Sequence, residues 1–398
     1  MSKGAENGDD VRNVYEDHNL HVLFGVTLMA VLGVTSVTPA FPSVIREFGI
    51  GSGQVGLLIT FFTLPGIVLT PVLGVLSDRY GRKLILTPAL LLFGVAGGLC
   101  ALATSFDMLL ALRFAQGMGA AALGTLNVTV IGDIYEGRER SAALGYNSSV
   151  LSIGTATYPG IGGLLATFGW FYPFLLPLLA IPMAFIVLFS LRNPEPEKNQ
   201  GLKEFFGDVF GNLWPRLKNV RVLGVFAASL ITFVLLFGAQ LAYLPILMNE
   251  RFGAPTYIIG FVLSGASITT AVTSSQLGRL TGTFQEKTLL KFAFVLYAAA
   301  LALASVVPAL PLLLLPAALL GIANGINIPN IFSLLNEVAP GDNRGAFLSI
   351  NGMILRLGQT IGPLFMATLA APIGLTGAYL AAAALGLVTF VFTVVIIR

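Results

Sequence analysis

Apolar and polar positions alternate along this chain in long blocks. Twelve blocks, at about 20–42, 54–77, 84–103, 108–132, 141–167, 170–190, 222–248, 257–277, 288–307, 309–335, 346–370 and 373–397, are apolar enough to be spans. Each reaches roughly the 20 residues a helix needs to cross the ~30 Å hydrocarbon core of a bilayer. In lipid every backbone N–H and C=O must be satisfied within the protein, so blocks of this kind read as helices. The pattern predicts an all-α membrane protein of twelve transmembrane helices.

One polar interval is long, and it divides the blocks six and six. It opens with Asn-Pro-Glu-Pro-Glu-Lys at 193–198, which cannot be helix interior. From Leu202 it turns periodic: Leu202, Phe205, Phe206, Val209, Phe210, Leu213 and Leu217 fall on one helical face, with Lys203, Glu204, Asp208, Arg216 and Lys218 opposite. That predicts an amphipathic helix lying on the membrane surface. The division expected is a tail at 1–19, a six-helix bundle at 20–191, a linker at 192–220 and a second bundle at 221–398. The halves repeat at an offset of 204 residues: Gly56/Gly260, Gly74/Gly278, Lys83/Lys287, Gly117/Gly321, Arg140/Arg344, Asn147/Asn351, Gly154/Gly358 and Pro159/Pro363. The two bundles are therefore expected to be pseudo-symmetric.

Composition agrees with the pattern. The chain is 56% apolar and 10% charged, with a mean hydropathy of +0.86, against about 25% charged for a soluble domain. The single cysteine, Cys100, excludes an intrachain disulfide framework. Glu6, Asp9, Asp10, Glu16 and Asp17 give the N-terminal segment the wrong composition for a cleaved signal peptide. Of the 22 Lys and Arg residues, 18 fall in segments on the side of the termini, two (Arg46 and Arg251) on the other side, and Arg113 and Arg356 within spans. This bias puts both termini in the cytoplasm, in a plasma (inner) membrane crossed many times.

The turn between the second and third spans carries the most specific motif. It holds Asp78, Arg79, Arg82 and Lys83 around Gly81, with Gly74 one turn earlier. The pattern G-x-x-x-D-R-x-G-R-K resembles the signature loop of the major facilitator superfamily. A second motif, R-x-x-Q-G-x-G-A-A from Arg113 to Ala121, is similar to that family's fourth-helix motif, associated there with energy coupling; the alternative is a structural arginine bonded to neighbouring carbonyls. A third, Gly154 to Gly163, resembles the fifth-helix motif of the family's drug exporters, with Gly154, Pro159, Gly162 and Gly163 in place and Tyr158 where a glycine is usual. The resemblance implies that Asp133 pairs with Arg82 and that Asp78 faces the start of the eleventh helix, a latch that shuts the cytoplasmic side in the outward-open state. The second copy of the loop has lost its acid and its glycine, with Gly282 and Gln285 at the matching positions.

Polar residues at membrane depth mark a candidate cargo cavity: Ser36, Asn127, Gln240, Tyr243, Asn324, Asn327, Asn330 and Arg356. The three tenth-span asparagines sweep an arc of about 120°, and either cavity lining or interhelical bonding would satisfy them. Arg356 follows Arg344 by a helical rise of roughly 18 Å, near the midplane. All 19 acids fall in loops or at span ends. Proton coupling, if it operates, therefore has Asp78, Asp133 and Asp107 as candidates, the last about 9 Å along the helix from Arg113. His18 and His21 are too few for a metal cluster, and neither a phosphate loop nor a nucleophile constellation is present.

No cofactor, metal, catalysis or nucleic-acid partner is expected. The leading expectation is a monomeric secondary transporter, resembling the drug:proton antiporter branch, that exports small amphiphilic molecules by alternating access with proton coupling. The alternatives are transport of an anionic or zwitterionic solute or lipid through Arg113 and Arg356, a facilitator without proton coupling, and a non-transporting receptor.

Overall fold

The structure is a computed structural model that describes residues 14–192, 219–338 and 344–397. The amphipathic helix expected over 202–217 and most of the tail lie outside the described residues. Among the described residues every regular element is helical. Ten helices are long and apolar enough to cross a membrane. The fifth expected span is a further helix, Gly137–Phe168, whose many Ser, Thr and Gly residues make it less hydrophobic. The last two form one run, Arg344–Ile396, broken at Gly374, where φ 70° and ψ 175° reverse the chain. Twelve crossings result among the described residues.

Prolines set the irregularities. In the first span the helix His18–Thr35 gives way to a 3-10 turn at Thr38–Ala40 and a second helix, Phe41–Phe48, as Pro39 and Pro42 withhold their amides. In the seventh span a π-helical stretch, Leu235–Tyr243, precedes Pro245. Such stretches recur at functional sites, and this one carries Gln240.

The two groups of six touch through the second and eleventh spans and through the fifth and eighth. Both contacts use the internal repeat. A Cβ on Gly56 would lie 2.9 Å from the Pro363 ring, and one on Gly260 would lie 3.1 Å from the Pro159 carbonyl carbon. Gly56 and Gly260 are 204 residues apart, as are Pro159 and Pro363. One glycine–proline contact thus closes the interface twice about a pseudo-two-fold axis, the arrangement of parallel repeats around a midplane site.

All these contacts lie toward one end of the bundle, which holds the turns near residues 50, 104, 170, 254, 308 and 374. Thr60 Oγ1 donates to Thr360 O at 3.0 Å, Thr63 and Thr360 share a hydroxyl bond of 2.8 Å, and Thr256 Oγ1 donates to Gly163 O at 2.9 Å. At the other end, where the described termini lie, a Cβ on Gly74, Gly145, Gly278 or Gly352 would meet nothing within 4 Å. The hydrogen bonds that join the halves among the described residues lie toward the far end, which is sealed, and the halves part toward the terminal end.

Candidate functional site

A cavity of about 450 Å³ lies between the halves at mid-depth. Its walls are mostly apolar: Val31, Val34 and Phe62 from the first half face Leu236, Phe237 and Ile328 from the second. Polar groups are few. Gln240, Ser267, Thr270, Asn324, Arg356 and Gln359 come from the second half, and Thr35, Thr63 and Thr155 from the first. Apolar walls with a few converging polar groups are the ordinary form of a small-molecule site.

Two short chains of hydrogen bonds reach this space. Tyr297, fully buried, donates through its hydroxyl to Asn324 Oδ1 at 2.6 Å, and Asn324 Nδ2 donates to Gln240 Oε1 at 2.9 Å. On the eleventh span Arg356 Nη1 donates to Gln359 Oε1 at 3.3 Å. The guanidinium lies against Gly66 of the second span, where a Cβ would come within 3.2 Å of its Nε. The absent side chain at Gly66 leaves the room that Arg356 occupies.

The other expected cavity residues lie elsewhere, each with a local reason. Ser36 is wholly buried, bonded to Leu32 O, with its backbone pressed against Gly162. Asn127 donates to Thr27 and Asn147, tying the first, fourth and fifth spans together. Tyr243 is buried in the π-helical turn. Asn327 donates to Thr232 at 2.6 Å, and Asn330 to Glu286 O at 2.7 Å. The asparagine arc therefore serves both purposes: Asn324 lines the cavity and the next two join helices.

Arg113 is 1% exposed and outside the cavity lining. It donates to Gly33 O at 2.8 Å, Leu58 O at 3.1 Å and Gln116 Oε1 at 2.7 Å, with its guanidinium 4.3 Å from the Phe62 ring centroid. Gly33 O needs that donor, because the first helix tightens there and Val37 N bonds Val34 O instead. Phe62 touches both Arg113 and the cavity. Asp107 sits exposed in the first turn of the fourth span and makes no ion pair with Arg113.

The signature turn is assembled around Arg82. Its side chain, 7% exposed, pairs with Asp78, bonds Asp133 Oδ2 through Nε at 2.9 Å and donates to Ser77 Oγ. Gly81 adopts φ 99° to make the turn, a conformation that side chains resist. Arg79 and Lys83 make no ion pair among the described residues beyond these two, and Gly74 faces open space. Beside the turn, Tyr135 donates to Asp17 Oδ2 at 2.6 Å, and burial together with that bond holds its hydroxyl well above the usual phenol range.

The fifth-span motif is an interface. Gly154 faces Val31 and Leu28, Gly162 the Ser36 backbone, and Pro159 and Gly163 the eighth span at Gly260; Tyr158 is half-buried beside Gly154. Sequence reading missed Phe62, Phe237, Thr63 and Gln359. Gln359 carried a signal, one helical turn from Arg356, whereas the phenylalanines are indistinguishable in sequence from lipid-facing ones.

A family model described as Major Facilitator Superfamily matches residues 23–260 and 238–398. The chain is 28% identical over 349 residues to Multidrug resistance protein 1 of Bacillus subtilis, covering 87% of this chain and 88% of that protein. It is 29% identical over 224 residues, 55% of each chain, to the quinolone resistance protein NorA of Staphylococcus aureus. Among solved structures, a bacterial homologue of the human lysosomal transporter Spinster, in an inward-facing and occupied conformation, aligns with a TM-score of 0.76 at 17% identity over 96% of this chain and 95% of that one.

Proposed function

Because the chain belongs to the major facilitator superfamily, a family of membrane transporters and not of enzymes, we propose that it exports small amphiphilic molecules by alternating access. The single observation that carries the reading is a mid-depth cavity sealed at one end and open at the other, between halves that meet through repeated contacts. Rocking about those contacts would exchange the seal from end to end. The relatives named for multidrug and quinolone resistance support an outward direction and a drug-like cargo. The charge bias supports a cytoplasmic position for the termini and the open end. One chain holds the whole pathway, so a monomer suffices, with 20–191 and 221–398 as the moving bodies and 192–220 as their tether.

Proton coupling belongs to this reading through Asp78 and Asp133, the acids that share Arg82. Protonating either would weaken the hold on Arg82 within the first half and so alter the turn that must meet the second half when the terminal end closes. The test is dye accumulation in cells carrying the protein or an empty vector, with cationic ethidium, neutral Nile red and anionic 8-anilinonaphthalene-1-sulfonate. Export predicts lower accumulation of at least one dye, abolished by a protonophore. Equal accumulation of all three would contradict export, and a protonophore-insensitive difference would remove the proton.

A further inference from the structure

We propose, resting on the transport reading, that the cavity selects small apolar molecules bearing a carboxylate, because its polar pole offers hydrogen-bond donors and one unpaired positive charge. Arg356 has no acceptor capacity. Its protein partner in the cavity is the neutral amide of Gln359, and the two ion pairs among the described residues both belong to Arg82. With Gln359 Oε1 occupied by Arg356 and Gln240 Oε1 by Asn324, both amides keep their NH₂ groups for a ligand. The buried Tyr297 hydroxyl, donating to Asn324 Oδ1, begins that second chain.

The first-half hydroxyls add neutral lone pairs only: Thr35 donates to Val31 O, and Thr155 to Ser152 O. No carboxylate is among the lining residues, so an organic cation finds no countercharge there. A guanidinium at membrane depth is costly without a partner. A carboxylate supplies one in the geometry that an arginine fork prefers. Phe62 and Phe237 are placed to hold the apolar body of the molecule.

The test is calorimetric titration of the protein in phosphatidylcholine nanodiscs, where no anionic lipid competes. The probes are 1-naphthylacetate, its amide, and (1-naphthylmethyl)trimethylammonium. Wild type should bind the acetate at least about tenfold tighter than the amide, the gain of a charge-assisted hydrogen bond, and the ammonium weakest. Arg356→Gln should bring the acetate down to the amide while leaving amide binding within about twofold. Should Arg356→Gln fail to fold, Gly66→Leu decides, since even its Cβ comes within 3.2 Å of Arg356 Nε and the rest of its side chain takes the guanidinium's room without removing the charge; it too should weaken the acetate selectively. Ammonium binding as tight as acetate, an acetate preference that survives these variants, or binding of none of the three would overturn the inference. Dye export uses other molecules and reads the transport proposal separately.

Discussion

Arg113 and Arg356 are the two basic residues deep within the spans, and their surroundings give them opposite work. Arg113 fills its fork with carbonyls of the first and second spans, Gln116 and the Phe62 ring. Removing it leaves at least two buried acceptors without a donor, at about 1–3 kcal/mol each. Arg113→Ala should therefore lower the melting temperature of the purified protein by several degrees. Arg113→Lys should recover little, because a lysine cannot reach three directions in one plane. Equal melting of wild type and Arg113→Ala would contradict this structural role. Arg82 is the corresponding knot at the membrane surface. Asp78→Asn should lower export while leaving melting within a few degrees, since Asp133 still holds the arginine; export at the wild-type rate would contradict a gating role for the turn. The signature turn was legible because its residues are neighbours in sequence. The partners of Asn127, Asn327 and Asn330 were not, since helix rotation decides what each side chain meets.

Helices and their junctions show the same division. Apolar length located the spans, and the offset of 204 residues turned out to be physical: Gly117 presses on the Phe62 backbone and Gly321 on that of Ala266, which again are positions 204 apart. Repeat symmetry was therefore readable from glycines and prolines, whose value lies in the backbone approach they permit. The π-helical stretch was not, because it depends on how the seventh span meets the eleventh, where Gly238 lies against Gly362. Substitutions at the two ends of the bundle should behave differently. Gly163→Val places its Cβ on Thr256 O and should hold the far end ajar, whereas Gly278→Ala meets open space. Export measured for the pair should be lost in the first and kept in the second. Loss in both would mean that the terminal end closes tightly on Gly278 during the cycle.

For the whole molecule the central claim is that the far-end seal opens. Hydropathy and charge bias predicted twelve crossings and an orientation, but they carry no information about which end of the cavity is shut, since that depends on the angle between two bundles. The most direct measurement is residue-resolved thiol labelling in right-side-out vesicles. A cysteine replaces Thr35 in the cavity wall, Cys100 is changed to Ala, and Arg46 and Asn249, which meet across the far end at 3.5 Å, are changed to cysteines that a bifunctional reagent can join. Alternating access predicts that a membrane-impermeant maleimide added outside reaches position 35 slowly before cross-linking and not at all afterwards, while labelling from the terminal end continues. Outside labelling that proceeds at the same rate with the far end locked would contradict the account.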